Sequence, residues 1–101
     1  MESRKEDSRI SRSRLPLPRA YVAPRGSIET VLAEIWCAAL SIDCIGVDDE
    51  FTDLGGDSFE AEVISMMIEE KLGIHIPLSA LVNTPTIAML ARDIGRRQAG
   101  P

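Results

Sequence analysis

The 101-residue chain is long enough for one small domain, and its 45% apolar residues include few aromatics (4%), a composition that favours packed helices over a β-sandwich. It has no run of about 20 apolar residues that could span a membrane, and its polar, arginine-rich start lacks the apolar segment of a secretory signal, so we expect a cytoplasmic monomer. Residues 1–25 carry seven basic and three acidic residues, whereas residues 26–95 carry thirteen acidic and two basic ones, and such an acidic body repels nucleic acid and attracts basic protein surfaces.

The N-terminal segment is predicted to be a flexible linker or tail over residues 1–20. It is rich in arginine and serine, shows no periodic apolar face, and ends in Leu15-Pro16-Leu17-Pro18, which stiffens the chain. Its charge would also suit a nucleic-acid arm, but it lacks interleaved aromatic residues and is attached to an acidic domain. We expect this segment to be mobile and dispensable for folding. The domain itself is predicted over residues 21–96, and a short tail over residues 97–101.

The first helix is indicated by a continuous apolar stripe, with Ser27 as its predicted N-cap. The stripe has the spacing i, i+3, i+4, i+7, i+8, i+11, i+12, in the order Ile28, Val31, Leu32, Ile35, Trp36, Ala39, Leu40. The two cysteines, Cys37 in this helix and Cys44 beyond it, match no zinc or CxxC spacing and are predicted to be buried thiols.

A long loop over residues 41–56 follows the first helix. Loops of this length are uncommon in compact domains unless they are anchored. We therefore expect four of its apolar residues to reach the core: Ile45, Val47, Phe51 and Leu54.

The second helix has clear start and stop signals. Asp57 and Glu60 stand at the N-cap and N3 positions of a capping box, which makes Ser58 the first helical residue. Gly73 follows the last periodic residue, Leu72, and glycine is the usual residue after a helix end.

Two further helices complete the predicted fold. A short helical turn is predicted over residues 79–82 after Pro77, and a last helix is predicted to open with Thr84 as N-cap and Pro85 at its first position. No strand alternation or repeat is visible. The sequence thus predicts an all-α, small four-helix bundle of three main helices and one short helix, with a long first loop.

Ser58 is the most informative single residue. Gly55 and Gly56 allow a tight turn before it and keep bulk away from its hydroxyl, and the start of a helix offers backbone N–H groups and partial positive charge to a phosphate ester. The chain's one histidine, His75, falls on a later loop, so no base is placed to make Ser58 a nucleophile. A plain capping serine is the alternative, but a presented serine without a base is suited to being modified by another protein.

The second helix has a second apolar face in addition to its core face. Phe59, Val63, Met66 and Met67 follow i, i+4, i+7, i+8. The helix is either wedged between neighbours or presents an exposed docking patch, with an acidic rim of Glu60, Glu62, Glu69 and Glu70. Methionine suits a surface that must fit several partners in turn.

A series of short motifs runs through residues 21–95: Tyr21-Val22-Ala23-Pro24-Arg25, Ile35-Trp36, Val47-Asp48-Asp49-Glu50-Phe51, Leu54-Gly55-Gly56-Asp57-Ser58, Leu72-Gly73, Ile76-Pro77-Leu78 and Pro85-Thr86-Ile87. In order and spacing the chain resembles the peptidyl carrier (thiolation) domains of nonribosomal peptide synthetases. It departs from them at Phe59, where the family most often has leucine. Residues 1–20 are only loosely similar to the tail of an adenylation domain.

The resemblance implies that Ser58 carries a covalent 4′-phosphopantetheine arm, attached by a phosphopantetheinyl transferase that uses coenzyme A and Mg²⁺. The arm would hold an aminoacyl or peptidyl group as a thioester, for an adenylation enzyme and for downstream condensation or tailoring enzymes of antibiotic biosynthesis. Asp57 would have a second role near the transferase's metal, and Phe59, Glu62, Val63, Met66 and Met67 would contact partners. The domain itself would not catalyse. An acyl carrier protein of polyketide or fatty-acid synthesis and an adaptor without an arm are the alternatives.

Overall fold

The computed structural model describes residues 9–83 and 85–99, and its regular structure there is helical. Four α-helices follow one another: α1 (Gly26–Leu40), α2 (Ser58–Leu72), α3 (Leu78–Asn83) and α4 (Ile87–Ala99). α1 packs against α2 and α4, and the short α3 packs against α2. The predicted four-helix bundle is confirmed. No helix in this part of the chain is long and apolar enough to cross a membrane.

The core is formed where α1, α2 and α4 meet, and the long loop over residues 41–57 closes it. Three of the four predicted loop anchors, Ile45, Val47 and Leu54, are buried, and the fourth, Phe51, packs partly buried with its ring edge-on to Trp36, 5.5 Å between ring centroids. Burying one such side chain stabilises the fold by roughly 1.5–3 kcal/mol. The loop is therefore held by its own side chains rather than left free.

The start of α1 differs from the prediction. Arg25, and not Ser27, is the N-cap, and its side chain makes no capping hydrogen bond. Gly26 has φ +80°, which allows the chain to turn sharply into the helix. The Glu29 carboxylate accepts the Arg25 backbone N–H at 2.8 Å, so the end is capped from inside the helix. Ser27 falls within the first turn.

α2 begins and ends as predicted. Asp57 is its N-cap in a complete capping box with Glu60. Gly73, with φ +69°, closes the other end, and its N–H donates to the Glu69 carbonyl at 2.9 Å. Side-chain capping at the start and a left-handed glycine at the end specify this helix locally at both termini.

The last two helices are shifted relative to the prediction. α3 is slightly longer than residues 79–82, and α4 begins at Ile87 rather than at Pro85. The Thr86 hydroxyl accepts the Met89 N–H at 3.2 Å, which is the hydrogen bond of an N-cap side chain. The predicted N-cap Thr84 lies outside the described residues. Residues 97–99, predicted as part of a tail, continue α4.

Residues 9–20, predicted to belong to a flexible linker, lie against the domain. Ile10 pairs with Ile42 in an isolated parallel bridge, a 3₁₀ turn follows at Arg12–Arg14, and Leu15 and Leu17 pack against the core. These contacts are specific tertiary interactions, which composition does not predict. Residues 1–8 lie outside the described part of the chain.

Candidate functional site

Ser58 is the first residue of α2, and its side chain is exposed. The turn before it depends on two glycines for different reasons. Gly55 has φ +87°, a conformation that residues with a Cβ rarely adopt. Gly56 lies directly on the Phe51 ring: a Cβ at Gly56 would be 2.3 Å from Phe51 Cζ. The glycine pair therefore lets the chain turn tightly over an aromatic side chain and present Ser58.

Backbone hydrogen bonds fix this turn. The N–H of Gly56 donates to the Phe51 carbonyl at 3.0 Å, and that of Gly55 donates to the Thr52 carbonyl at 3.0 Å. Phe51 is itself joined to a distant part of the chain, because its N–H donates to the Pro85 carbonyl at 2.8 Å. The loop that presents Ser58 is thus a hydrogen-bonded structure with its aromatic side chain anchored towards the core.

The Asp57 side chain already binds backbone N–H groups at the start of α2. Its Oδ1 accepts the N–H groups of Phe59 at 3.0 Å and Glu60 at 3.2 Å, while Glu60 Oε1 accepts the Asp57 N–H at 3.1 Å. The expectation that these backbone N–H groups would be free for a phosphate is corrected: two of them are occupied. Interaction with the Glu60 side chain, and then the backbone N–H groups, lowers the pKa of Asp57 because these contacts favour its ionised form.

Acid is expected to weaken the fold through carboxylates of this kind. Hydrogen bonding by the Arg12 N–H lowers the pKa of Asp43, as the capping box lowers that of Asp57, both from an ordinary 3.8. Their stabilisation is fully present above that value and is lost as the pH falls through the lowered folded-state pKa values. Urea unfolding from about pH 7, where the stabilisation is complete, to about pH 2, well below the ordinary value of 3.8, measures this loss.

Asp57→Asn is the matched variant for the acid experiment, since asparagine caps a helix equally well but does not titrate. The variant should match the wild type near neutral pH and lose less free energy of unfolding in acid. An identical acid slope in the two proteins would contradict the assignment of that loss to Asp57.

The histidine of the chain lies far from Ser58. His75 is exposed, and its Nδ1 lies 3.5 Å from Glu69 Oε1. Glu69 is eleven residues along α2 from Ser58, which corresponds to roughly 16 Å along the helix axis. The predicted separation of the histidine from the serine is confirmed. Among the described residues, no cluster of three or more His, Cys, Asp or Glu side chains is suited to hold a metal ion.

A mainly apolar groove of about 240 Å³ opens beside Ser58. Its walls come from the loop, from α2, from α3 and from the segment before α4, and they include Phe51, Ala61, Leu81 and Pro85. Sequence reasoning missed this groove because its lining residues are far apart in the chain. Only the predicted anchoring of Phe51 pointed towards it.

The second apolar face of α2 is partly exposed. Phe59 and Met66 are 70% and 69% exposed, Glu62 is exposed between them, and Val63 is half-buried. Met67 differs from the predicted stripe, because it packs against the core; it stands one residue further round the helix, beside the buried Ile68.

The exposed face continues beyond α2, which the sequence did not reveal. Met66 and Glu62 line a groove of about 350 Å³ together with Pro77 and with Leu78, the first residue of α3. Glu69 and Glu70 of the predicted acidic rim are exposed, whereas Glu60 is half-buried and engaged in the capping box. We call the exposed Phe59, Glu62 and Met66, together with the half-buried Val63, the α2 patch.

Both cysteines are free thiols. Cys37 is buried as predicted, while Cys44 is only partly buried. Burial is the largest effect on each and raises the pKa of both thiols. They are therefore protonated and weakly nucleophilic at neutral pH.

These features define a class of protein. An acidic four-helix bundle presents the exposed Ser58 at the start of α2, far from the histidine and beside an exposed apolar patch, and this is the arrangement of a carrier domain. The sequence matches the family described as "Phosphopantetheine attachment site" over residues 30–94. The chain belongs to this family and, within it, to the peptidyl carrier domains of nonribosomal peptide synthetases.

Individual relatives agree. Tyrocidine synthase 3 of Brevibacillus parabrevis is 37% identical over 99 residues, 91% of this chain but 2% of the synthase. Among solved structures, an active-site mutant of a peptidyl carrier protein superposes with a TM-score of 0.77 at 32% identity, covering 83% of this chain and 93% of the other. A peptidyl carrier protein solved in complex with the phosphopantetheine transferase Sfp and coenzyme A superposes with a TM-score of 0.73 at 35% identity, covering 76% and 100%.

These similarities favour the peptidyl carrier over the acyl carrier of polyketide or fatty-acid synthesis. The chain spans about 2% of the length of the synthases it matches.

Proposed function

We propose that this domain is loaded at Ser58 with 4′-phosphopantetheine from coenzyme A and carries aminoacyl or peptidyl groups between enzymes of nonribosomal peptide biosynthesis. The observation that carries the proposal is the exposure of Ser58 at the first position of α2, after a turn that Gly55 and Gly56 hold over Phe51. When attached, the group supplies a terminal thiol on which cargo is held as a thioester.

The residues around Ser58 fit such a group. The hydroxyl is exposed, so an enclosing transferase active site can reach it. The neighbouring groove, which Gly56 also lines, is mainly apolar and offers a suitable surface for the alkyl parts of a pantetheine arm. His75 is too distant to deprotonate Ser58, so we assign that proton transfer to the transferase.

Asp57 has one firm role and one proposed role. Its Oδ1 caps α2 and keeps Ser58 at the first helical position. It is an ionised carboxylate at neutral pH, and its lowered pKa extends that state into more acidic solution, next to the hydroxyl that receives the phosphate. We propose that the same carboxylate contributes to the Mg²⁺ environment of the transferase complex.

The α2 patch is the proposed contact surface for partner enzymes. Phe59 follows Ser58 directly and is largely exposed, so any enzyme that receives the arm has to cover it. Met66 lies about two turns further along the helix. A small apolar centre with an acidic rim suits the short-lived contacts that a shuttling carrier requires. Phe59 in place of the family's usual leucine enlarges that centre.

Three kinds of partner follow from this assignment. A transferase is the partner in the solved complex of the related carrier. An adenylation enzyme is the second, and a solved structure titled as a McyG A-PCP complexed with phenylalanyl-adenylate provides a related example, 27% identical to this chain. Condensation or tailoring enzymes downstream are the third. The acidic body of the domain would attract basic surfaces on each of them.

We propose that the domain performs no bond-making of its own. Tethering the cargo replaces diffusion of a free intermediate with a high effective concentration at each active site. We place this activity in the cytoplasm, where coenzyme A is supplied and where thiols such as Cys37 and Cys44 stay reduced.

Intact-mass measurement after incubation with coenzyme A, Mg²⁺ and a promiscuous transferase tests this function. We expect the wild type to gain one arm and one rapidly reacting thiol, distinct from the two native thiols with raised pKa values. Ser58→Ala should melt at the wild-type temperature and gain neither. A wild-type protein that never gains mass would instead favour the adaptor without an arm.

A further inference from the structure

Among the ion pairs that join residues 9–20 to the loop before Ser58, the one between Arg12 and Asp49 is the shortest and the most buried. We propose that this pair is a clasp that makes residues 9–20 part of the functional domain, and that Arg12 and Asp49 are positioning residues for arm attachment. The inference rests on the proposed loading of Ser58. It concerns which residues hold the serine in place and not whether the serine is used.

Asp49 is fully buried, with no exposed surface. Its Oδ2 accepts Arg12 Nε at 2.7 Å and its Oδ1 accepts Arg12 Nη2 at 2.7 Å, a parallel two-point contact. Oδ2 also accepts the backbone N–H of Gly46 at 2.8 Å. A buried carboxylate without such partners is strongly destabilising. Arg12 is therefore the counter-charge that allows Asp49 to be buried in the loop.

Arg12 is held from its own side as well. Its side chain is only 13% exposed, its Nη2 also donates to the Arg19 carbonyl at 3.2 Å, and its guanidinium carbon lies 5.5 Å from the centre of the Tyr21 ring. Its backbone N–H donates to Asp43 Oδ1 at 2.8 Å. The hydrogen bonds with Asp49 raise its pKa further. The guanidinium thus stays charged and fixed in orientation.

Backbone pairing secures the same segment. The N–H of Ile10 donates to the Ser41 carbonyl at 2.8 Å, and the N–H of Asp43 donates to the Ile10 carbonyl at 2.8 Å. Further along, Arg19 lies 3.8 Å from a Glu50 carboxylate oxygen and 3.6 Å from one of Asp53. The segment is therefore attached to the loop at its start, its middle and its end.

A short chain of contacts leads from the clasp to Ser58. Asp49 fixes Gly46 on one side, and on the other it stands two residues before Phe51, the ring on which Gly56 rests. An unpaired charge at Asp49 would draw in water and displace the segment that carries Phe51. The turn before Ser58 has no room to absorb such a shift, because Gly56 already lies against the ring.

Steady-state kinetics of arm attachment tests the clasp with Arg12→Gln, Arg12→Lys and Asp49→Asn. Arg14→Gln, in the same 3₁₀ turn but exposed, is the matched control. At a temperature where circular dichroism shows each protein folded, we expect Arg12→Gln and Asp49→Asn to lower kcat at least about tenfold, since a misplacement of roughly 1 Å can cost about a hundredfold. KM should stay near the wild-type value because the α2 patch is unchanged.

Arg12→Lys keeps the charge without the two-point contact and should fall between the wild type and Arg12→Gln. A purely structural pair would lower the melting temperature and leave kcat unchanged, and that result would overturn the proposal. So would equal effects of Arg12→Gln and Arg14→Gln.

Hydrogen exchange on the wild-type protein is a second test of the clasp, and it does not depend on whether a variant folds. The amide of Gly46, which donates to Asp49, and those of Ile10 and Asp43, which pair residues 9–20 with the loop, should be protected to the same degree as those of Gly55 and Gly56. Unprotected exchange at Ile10 and Gly46 would overturn the proposal. Hydrogen exchange tests the clasp independently of the proposed function. If the proposed function is wrong, the wild-type protein gains no arm at all, whatever the protection of these amides.

Discussion

Replacing Gly56 with alanine is expected to destabilise the domain by about 1–3 kcal/mol, the usual cost of adding a methyl group where there is no space. The new Cβ would lie 2.3–2.6 Å from three carbon atoms of the Phe51 ring. Either the ring leaves its edge-on contact with Trp36 or the turn that presents Ser58 moves outwards. Urea denaturation should show the loss of stability, and the rate of arm attachment should fall as well.

Gly95→Ala is the matched control for this substitution. Gly95 lies in α4 with open space around its Cβ position and an ordinary helical backbone, so alanine there should be neutral or stabilise by up to about 1 kcal/mol. The double variant Gly56→Ala/Phe51→Leu should recover part of the loading rate, because the smaller side chain makes room for the methyl group. Wild-type stability and loading in Gly56→Ala would show that the Phe51 ring does not support the turn.

Introducing a charge at Met66 is expected to have the largest effect on partner enzymes. Met66 is 69% exposed, so Met66→Glu should leave the free energy of unfolding within about 0.5 kcal/mol of the wild type. The same change places a carboxylate in the apolar centre of the α2 patch, where an enzyme would have to desolvate it. Loading by a partner adenylating enzyme should weaken at least about tenfold, mainly through KM.

Met89→Glu serves as the control, since Met89 is also an exposed methionine (42%) but stands on α4. It should load normally. Loading of Met66→Glu at the wild-type rate by a folded protein would remove the α2 patch from the contact surface. A large loss of stability in Met66→Glu would show that the side chain is needed for packing.

The parts of the fold that the sequence predicted are those specified locally. The capping box of Asp57 and Glu60, and the terminal Gly73, need only neighbouring residues, so α2 and the position of Ser58 were predictable. The anchoring of the loop was predictable for a similar reason, because apolar residues in a long polar loop have to be buried.

The features that the sequence did not reveal depend on contacts between residues that are far apart in the chain. Arg12 and Asp49 are 37 residues apart, and each alone is indistinguishable from other charged residues of the same type. Composition therefore suggested a linker where the structure has an ordered segment. The start of α4 was predicted at Pro85, two residues too early, because Thr86 makes the capping hydrogen bond found in the structure. Met67 was predicted on the second apolar face of α2, but it packs against the core. Its place in the sequence is compatible with either face, and only the tertiary packing decides between them.

Locating the arm in the loaded wild-type protein decides whether Ser58 is the attachment point. Fragmentation mass spectrometry of peptides from the coenzyme A and transferase reaction identifies the modified residue without any substitution. We expect the added mass to map to Ser58 alone, with every other serine unmodified. An arm on another residue such as Ser41 or Ser65, or a loaded protein whose Ser58 peptide is unchanged, would contradict it.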